Sequence, residues 1–219
     1  MLRKTVVALL ALGACHSVFA EGMRQVNTGS VHNFIGVDFG STEHNVGIDG
    51  YSDDYSSNAS GLGLNIGFWL SDNVGIVVGY VDFGDTNLSK LNYVSSTYSE
   101  FHSVEAKAFL VGAVLSTPVW QRPWRFYGEI GAHKTDYTWS VKGQAGGTPY
   151  SANVVDTSTV DIWGGLGLGY SFSQQLEGKL AVDWFVLKPD LTTEAQYVYG
   201  ESKADIQLTR YSLGLNYQF

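Results

Sequence analysis

Hydrophobic and polar side chains alternate along this chain, and the alternation is clearest at its end. Every second residue from Tyr211 to Phe219 is Tyr, Leu or Phe, and the four residues between them are Ser, Gly, Asn and Gln. Successive side chains of a β-strand point to opposite faces. The pattern therefore predicts a strand with one apolar face and one polar face that ends on an aromatic residue.

The same alternation predicts eight strands. They are residues 32–40, 61–70, 74–83, 103–115, 125–139, 160–172, 176–186 and 204–219. The connections after the second and sixth strands are about three residues, and the one after the fourth, residues 116–124, is moderately longer. The other four span roughly fifteen to twenty residues each. Short turns at one end and long loops at the other are typical of transmembrane β-barrels. We therefore predict an all-β protein, an eight-stranded antiparallel up-and-down transmembrane β-barrel.

Composition agrees with this fold. The chain has 26 glycines among 219 residues and 14% aromatic residues, and glycine is poor in helices while aromatic residues favour strands. No apolar run approaches the roughly 18 residues of a membrane helix. A closed barrel, which pairs its backbone groups internally, is then the remaining way to cross a bilayer. The formal net charge of −8 argues against nucleic-acid binding, which needs a basic surface.

The first twenty residues have the layout of a secretory signal. Two cations precede an apolar stretch, and small residues lead to Ala20. We expect residues 1–20 to be a cleaved signal peptide and residues 21–219 to be the barrel domain. Residues 12–15, Leu-Gly-Ala-Cys, resemble a lipoprotein cleavage motif, which leaves acylation of Cys15 as an alternative. Either processing uses or removes the only cysteine, so no disulfide is expected in the mature domain.

Three segments resemble the small eight-stranded outer-membrane barrels, the porin-like family of the OmpA transmembrane domain, the opacity proteins and the Ail-like adhesins. They are the Ser71-Asp72-Asn73 turn with the following strand Val74–Tyr80, the strand Gly128–Gly131, and the closing strand Tyr211–Phe219. The resemblance implies the outer membrane of a Gram-negative bacterium, with both termini in the periplasm. It also implies that Phe219 is an assembly signal for the barrel assembly machinery, and that the wall contacts outer-membrane lipid and lipopolysaccharide. Because a closed sheet has no free edge, we expect a monomer.

The interior of an eight-stranded barrel is only wide enough for its own side chains, so inward polar residues must satisfy one another. We predict pairing across strands, such as Lys107 with Glu129 and Arg210 with Asp183. A gated narrow pore is one function of such an interior, and a closed structural plug is the favoured one. The predicted polar core is Asp38, Glu105, Lys107, Glu129, Asp161, Lys179, Asp183 and Arg210, and the other inward residues are Asn65, Trp69, Arg125, His133, Trp163 and Glu177.

The predicted outer loops are better candidates for recognition. The first, residues 41–60, contains Glu43, Asp49, Asp53 and Asp54 and no Lys or Arg. Such carboxylates suit a divalent cation or a basic partner, but their spacing does not match a calcium loop. A solvated acidic loop is therefore favoured.

Tyrosines stand out in the second and fourth predicted outer loops, as Tyr93, Tyr98, Tyr197 and Tyr199. Tyr on a rigid scaffold suits recognition, whereas Tyr at the membrane boundary forms an aromatic girdle. The sequence leaves both interpretations open.

The histidines give little support to catalysis. None lies in a His-x-Ser pattern, and the sequence has no Gly-x-Ser-x-Gly motif. His44 and His102 fall in predicted outer loops, where Asp53 or Glu100 could approach them; the others outside the signal are His32 and His133. We predict no catalytic residues, no cofactor and no metal site.

The leading functional hypothesis is a non-enzymatic surface protein that binds a host or cell-surface ligand through its outer loops. A small ion or solute channel is the alternative. A barrel enzyme acting on lipid A or on peptides is less favoured.

Overall fold

A computed structural model describes residues 33–48, 55–71, 73–95, 97–117, 123–173, 175–193, 195–196 and 203–219. The predicted signal peptide, with Cys15, lies outside these residues. The strands are β1 Asn33–Ile48, β2 Tyr55–Trp69, β3 Val74–Asn87, β4 Tyr93–Val94, β5 Tyr98–Ser116, β6 Trp124–Ala145, β7 Thr148–Ser171, β8 Leu176–Leu187 and β9 Ala204–Gln218, with a short 3₁₀ helix at Ser89–Leu91. No helix among the described residues is long and apolar enough to cross a membrane.

Eight of these strands form a closed antiparallel barrel. They pair in the order β3–β2–β1–β9–β8–β7–β6–β5, and β5 returns to pair with β3. First and last strands meet where the Asn33 N–H donates to the Phe219 carbonyl (3.1 Å) and the Phe219 N–H donates to the Asn33 carbonyl (2.9 Å). The two-residue β4 is added beside the start of β5. The predicted eight-stranded up-and-down barrel is confirmed.

The two ends of the barrel differ. At one end, which we call the turn end, tight turns join β2 to β3 and β7 to β8. In these turns the Leu70 N–H donates to the Val74 carbonyl (2.8 Å) and the Phe172 N–H donates to the Leu176 carbonyl (2.9 Å). The opposite end, which we call the hairpin end, carries the connections β1–β2, β3–β5, β6–β7 and β8–β9.

The outer wall near the turn end is apolar. Phe39, Leu64 and Leu213 are 58%, 59% and 64% exposed. Exposed apolar side chains continue around the barrel as a band, which indicates a surface that faces lipid. We call this band the belt, and it includes Ile35, Val37, Phe39, Leu62, Leu64, Ile66, Phe68, Ile76, Val78, Phe109, Val111, Leu115, Trp124, Phe126, Ile130, Ile162, Phe172, Leu180, Leu213, Leu215 and Phe219.

Toward the hairpin end the polarity of the two faces of the wall is reversed: the outward residues are polar and the inward residues are apolar. On β1 the outward residues change from Phe39 to Ser41, Glu43 and Asn45, while the inward Val46 is fully buried. A strand needs only about 9–11 residues to cross a bilayer, whereas β6 has 22 residues and β7 has 24. The remainder extends beyond the belt and buries its apolar side chains inside, as a water-soluble protein does. This core includes Phe83, Leu88, Val104, Ala106, Tyr137, Trp139, Val155, Phe185, Leu187, Ile206 and Leu208.

Three of the four long loops predicted at the hairpin end are shorter than predicted, because many of their residues continue the strands. The fourth agrees with the prediction, since β8 ends at Leu187 and β9 begins at Ala204. β6 runs to Ala145 and β7 begins at Thr148, where the sequence pattern predicted a loop over residues 140–159. These strands meet at Gly146 and Gly147, whose φ values of +58° and +85° lie in the left-handed region that glycine adopts without strain. The sequence-based strands were assigned from apolar residues on the outward face. Beyond the belt the outward residues are polar, so the strands were predicted to end too early.

The predicted inward positions of Glu105 and Lys107 are also wrong. Both side chains point outward, are 47% and 40% exposed, and form an ion pair with each other. Inward positions for Glu105 and Lys107 would have placed the alternate residues Val104 and Ala106 toward lipid, but these two are buried inside the barrel. The physical reason is the exchange of faces, since this part of β5 lies beyond the belt. The expected Lys107–Glu129 pair is therefore absent.

Gly131 on β6 and Gly112 on β5 lie at a close approach of two backbones. A Cβ at Gly131 would stand 2.1 Å from the Val111 carbonyl oxygen and 2.5 Å from the Gly112 Cα. We expect Gly131→Ala to cost about 1–3 kcal/mol or more, because backbone atoms must move. The matched control is Gly128→Ala on the same strand, where the nearest atom is 3.9 Å away. Urea unfolding in detergent micelles measures both, and equal midpoints would contradict the packing described.

Candidate functional site

The interior near the turn end holds ionised side chains that pair across strands. Arg210 Nη2 on β9 pairs with Asp38 Oδ1 on β1, and Lys179 Nζ on β8 pairs with Glu129 Oε1 on β6. The Arg210 side chain is only 2% exposed. Because an unpaired buried charge costs several kcal/mol (roughly 3–5), these pairs fix the relative positions of the strands that carry them.

A second cluster of polar side chains lies inside the barrel at the turn end. Arg125 Nε lies 3.8 Å from Glu177 Oε2, and its guanidinium carbon lies 4.9 Å from the centroid of a Trp69 ring. The Tyr127 hydroxyl donates to Glu177 Oε1, and Asn216 Nδ2 donates to the same oxygen at 3.3 Å. A cation and two neutral donors thus surround one buried carboxylate, and the cation in turn lies over an aromatic face. Such partners allow a charge to be kept inside a narrow barrel.

The remaining predicted interior residues lie on the inner face but do not all meet the expected partners. Asp183 stands directly across from Arg210 in the β8–β9 register, yet the ion pair of Arg210 is with Asp38. Asp161 faces inward on β7, where its register partner on β6 is His133.

Two small cavities lie inside the described part of the barrel. One cavity of about 40 Å³ borders Asp38 and Lys179, and another of about 10 Å³ lies nearer the turn end. A single water needs about 10–15 Å³, so these spaces hold a few waters at most. Toward the hairpin end, Phe83 and Phe185 pack edge to face with centroids 4.8 Å apart, and Trp163 stacks on Phe185 at 5.9 Å. At this level the described aromatic rings pack across the lumen.

The hairpin end carries a second cluster, built from β4, β5 and β7. Tyr93 and Tyr98 have ring centroids 5.8 Å apart, and Tyr98 stacks on Tyr150 with centroids 6.2 Å apart and planes inclined by 27°. Gly143 on β6 makes room for this arrangement, since a Cβ there would lie 2.7 Å from the Tyr150 ring. We call Tyr93, Tyr98 and Tyr150 the tyrosine shelf.

A chain of hydrogen bonds anchors two members of the shelf, Tyr98 and Tyr150, to the apolar core. The Tyr150 hydroxyl donates to the Tyr98 hydroxyl (2.9 Å), which donates to Glu100 Oε2 (2.5 Å). His102 Nε2 donates to Glu100 Oε1 (3.0 Å), and Trp139 Nε1 donates to His102 Nδ1 (3.2 Å). Since Nδ1 accepts, His102 is the neutral tautomer with its proton on Nε2. Acceptance of two donors by Glu100 holds its carboxylate in place, and the bond to Glu100 raises the pKa of Tyr98.

Acid should weaken this anchor. Burial lowers the pKa of His102 below its usual 6.5, although the neighbouring Glu100 opposes the shift. A histidine with a depressed folded-state pKa takes up protons on unfolding, so its contribution to stability is full above pH 6.5 and falls as the pH drops below 6.5. We expect the free energy of unfolding to decline less steeply between pH 6.5 and 5 in His102→Phe than in the parent. Urea titrations in micelles measure the slopes, and identical slopes would contradict the assignment.

The other predicted outer-loop residues fall into two groups. His44 is not in a loop but on β1, fully buried, where desolvation lowers its pKa to about 4. Glu43 is its outward neighbour on the same strand. Among the described residues no three metal-ligating side chains lie together. The rest lie outside the described residues: Asp49, Asp53, Asp54, Tyr197 and Tyr199. His32, at the start of the first predicted strand, also lies outside them.

Tyr150 and Trp139 are the members of this site that sequence reasoning missed. Both were assigned to the predicted third outer loop or its edge. The signal that finds them is Gly146-Gly147, a two-residue hairpin turn between strand-forming segments. From that turn, counting outward pairs Gly143 with Tyr150, as the β6–β7 register has it.

No protein-family model and no curated protein matches this chain. Solved structures do match. Neisserial surface protein A aligns with a TM-score of 0.54 at 11% identity, over 85% of this chain and 97% of that one. The outer membrane protein OprG of Pseudomonas aeruginosa aligns with a TM-score of 0.53 at 12% identity, over 89% and 99%. The chain has the fold of the small outer-membrane barrels.

A third structure extends the likeness. The outer membrane protein AlkL, whose structure was determined in lipid bilayers, aligns with this chain at a TM-score of 0.52 and 14% identity, over 89% of this chain and 94% of that one. At such identities the likeness concerns the fold, and function must be argued from the residues of this chain.

Proposed function

We propose that this chain is a non-enzymatic surface protein of the Gram-negative outer membrane that recognises a partner through its hairpin end. The observation that carries the proposal is the exchange of faces along the strands. The belt suits lipid, while the hairpin end has the polar outside and apolar inside of a domain that stands in water. A rigid, water-exposed extension of this kind is suited to presenting side chains to another molecule.

The orientation in the membrane follows from the same proposal. Bacterial barrels place short turns in the periplasm and longer segments outside. The turn end, with both Asn33 and Phe219, is then periplasmic, and Phe219 is available to the barrel assembly machinery. Outer-membrane lipid and lipopolysaccharide surround the belt, and a closed sheet needs no partner edge, which supports a monomer.

The charge of the chain is concentrated at the hairpin end. Residues 41–60, 82–107, 133–159 and 187–209 contain 14 of the 21 Asp and Glu residues and 6 of the 13 Lys and Arg residues. Their net charge of −8 equals that of the whole chain. Such a surface attracts cationic partners and repels polyanions.

Shortening the longest hairpin tests the recognition role. Removing residues 142–145 and 148–151 keeps the Gly146-Gly147 turn and joins it to Val141 and Ala152, which are register partners. Bacteria displaying the parent protein should adhere to cultured host cells or to an immobilised extracellular protein, and bacteria displaying the shortened variant should lose most of this adhesion. Surface biotinylation and the mobility shift between unboiled and boiled samples control for display and folding. Equal adhesion would overturn the proposal.

A narrow channel receives less support. The cavities of about 40 and 10 Å³ are separated from the hairpin end by the packed rings of Phe83, Phe185 and Trp163. We expect planar-bilayer recordings with the purified protein to give rare, small openings or none. Steady, large openings would favour the channel instead.

Catalysis also receives little support from the described residues. His102 is the histidine that contacts a carboxylate at the hairpin end, but it is buried and both of its ring nitrogens are engaged by Glu100 and Trp139. A general base must reach a proton on its substrate.

A further inference from the structure

We propose that the tyrosine shelf binds the cationic side chains, Arg or Lys, of a basic segment in a partner protein. This inference rests on the proposed function and deepens it, because it names the partner chemistry for the same hairpin end.

The first argument is the geometry of the aromatic faces. Tyr93 is 57% exposed, and its ring is splayed from that of Tyr98 by 50°. Cations bind over the face of a tyrosine ring within about 6 Å of its centroid, and the guanidinium of Arg also stacks on such faces. Neighbouring rings at 5.8 and 6.2 Å offer a cation two faces at once or two adjacent positions.

The second argument is the charge behind the rings. Tyr93 and Glu100 are cross-strand partners, so they lie on the same face of the β4–β5 pair. The carboxylate of Glu100 is held by Tyr98 and by neutral His102, and its negative charge is not cancelled within the cluster. A donor bond from the Tyr98 hydroxyl to a carboxylate makes the ring face more negative. An approaching cation therefore meets the charge of Glu100 and the ring quadrupole together.

The third argument is that hydrogen bonds hold Tyr98 and Tyr150 in fixed positions before any ligand binds. Three hydroxyl and carboxylate groups are bonded in sequence from Tyr150 to Glu100, and His102 and Trp139 tie them to the buried core. A ligand that stacks beside Tyr98 and Tyr150 does not have to immobilise these two rings first, which reduces the entropic cost of binding.

The position of the shelf favours a protein segment over other cation sources. Tyr98 and Glu100 lie on the same face of β5 as the buried Val104, so the shelf continues the inner face of the barrel. An extended segment can place single side chains there, whereas a planar membrane of choline lipids would have to enter the barrel mouth. Anionic polysaccharides are disfavoured by the net charge of the hairpin end.

The test uses the full chain refolded in detergent micelles and a fluorescein-labelled Gly-Arg repeat peptide, followed by fluorescence anisotropy at low salt. We expect saturable binding that weakens with added NaCl. Tyr93→Leu should weaken it about tenfold, because the aliphatic side chain has no ring quadrupole, and Tyr93→Phe should restore it. The matched control is Phe101→Leu, which removes an exposed aromatic ring (47%) from the opposite face of β5 and should leave the affinity unchanged.

Several outcomes would overturn the inference. One is equal affinity of Tyr93→Leu and the parent protein, and another is an equal loss in Phe101→Leu. A Gly-Glu repeat peptide that binds as well would remove the role of charge. Binding to phosphatidylcholine vesicles without binding to the peptide would assign the shelf to a lipid headgroup. If the peptide fails to bind while the hairpin deletion still abolishes adhesion, this inference fails and the proposed function stands.

Discussion

Replacing Arg210 by methionine is expected to lower the free energy of unfolding by about 3–5 kcal/mol, because the carboxylate of Asp38 is left buried without its partner. The Arg210 side chain is 2% exposed and that of Asp38 is 15% exposed. Asp183, the cross-strand neighbour of Arg210, would lose the same nearby cation. Urea unfolding in micelles or vesicles, followed by tryptophan fluorescence and by gel mobility, measures the loss.

Two variants make this prediction specific. Adding Asp38→Asn to Arg210→Met removes the uncompensated charge, so the double variant should recover a large part of the stability. Lys107→Met removes a cation from an exposed outward pair with Glu105, and its effect should be small by comparison. A loss in Lys107→Met as large as that in Arg210→Met would contradict the described positions of both residues.

Replacing Phe185 by alanine is expected to cost about 3–5 kcal/mol, the usual range for truncating a buried aromatic side chain. Phe185 is 1% exposed and packs against Phe83 at 4.8 Å and His133 at 5.3 Å between ring centroids, with Trp163 stacked at 5.9 Å. The reason is the cavity left inside a barrel whose neighbouring strands cannot collapse to fill it. The same unfolding assay measures it.

Val186 supplies the control for this prediction. It follows Phe185 on β8, points outward and is 43% exposed. Val186→Ala removes apolar surface without opening an internal cavity, so it should cost far less than Phe185→Ala. Similar losses in the two variants would mean that the interior of the barrel is not packed as described.

The fold could be predicted from the sequence because apolar and polar residues alternate along every strand of the belt. From Tyr211 to Phe219 the apolar residues face lipid and small polar residues face the narrow lumen. The turn at Ser71–Asn73 was recognisable for the same reason, since polar turn residues interrupt two such patterns.

The hairpin end could not be predicted in the same way, because one pattern has two meanings there. Val104 and Ala106 alternate with Glu105 and Lys107, and alternation alone does not say which face is inside. In the belt the apolar face is outside, while beyond it the apolar face is inside. The assignment therefore depends on where the belt ends, which is a property of the whole barrel and its surroundings.

The candidate site could be predicted from the sequence only in part, for a related reason. The approach of Glu100 to His102 could be anticipated because the two residues are only two positions apart in the sequence. That both lie on one face of a strand was not predicted, since the sequence pattern placed them in a loop. The stacking of Tyr98 on Tyr150 brings together two residues that are 52 positions apart in the sequence. It requires the register of β5, β6 and β7, which the tight Gly146-Gly147 turn determines.

Spin labels along β5 test the central claim, the exchange of faces at the edge of the belt, most directly. In a Cys15→Ser background, single labels at Phe109, Val111 and Ala113 in lipid vesicles should collide with oxygen, and labels at Ser103 and Glu105 should collide with a water-soluble nickel complex. Labels at Ala106 and Ala108 should be shielded from both reagents. Strong oxygen collisions at Ala106 and Ala108 would place these residues in lipid and contradict the account.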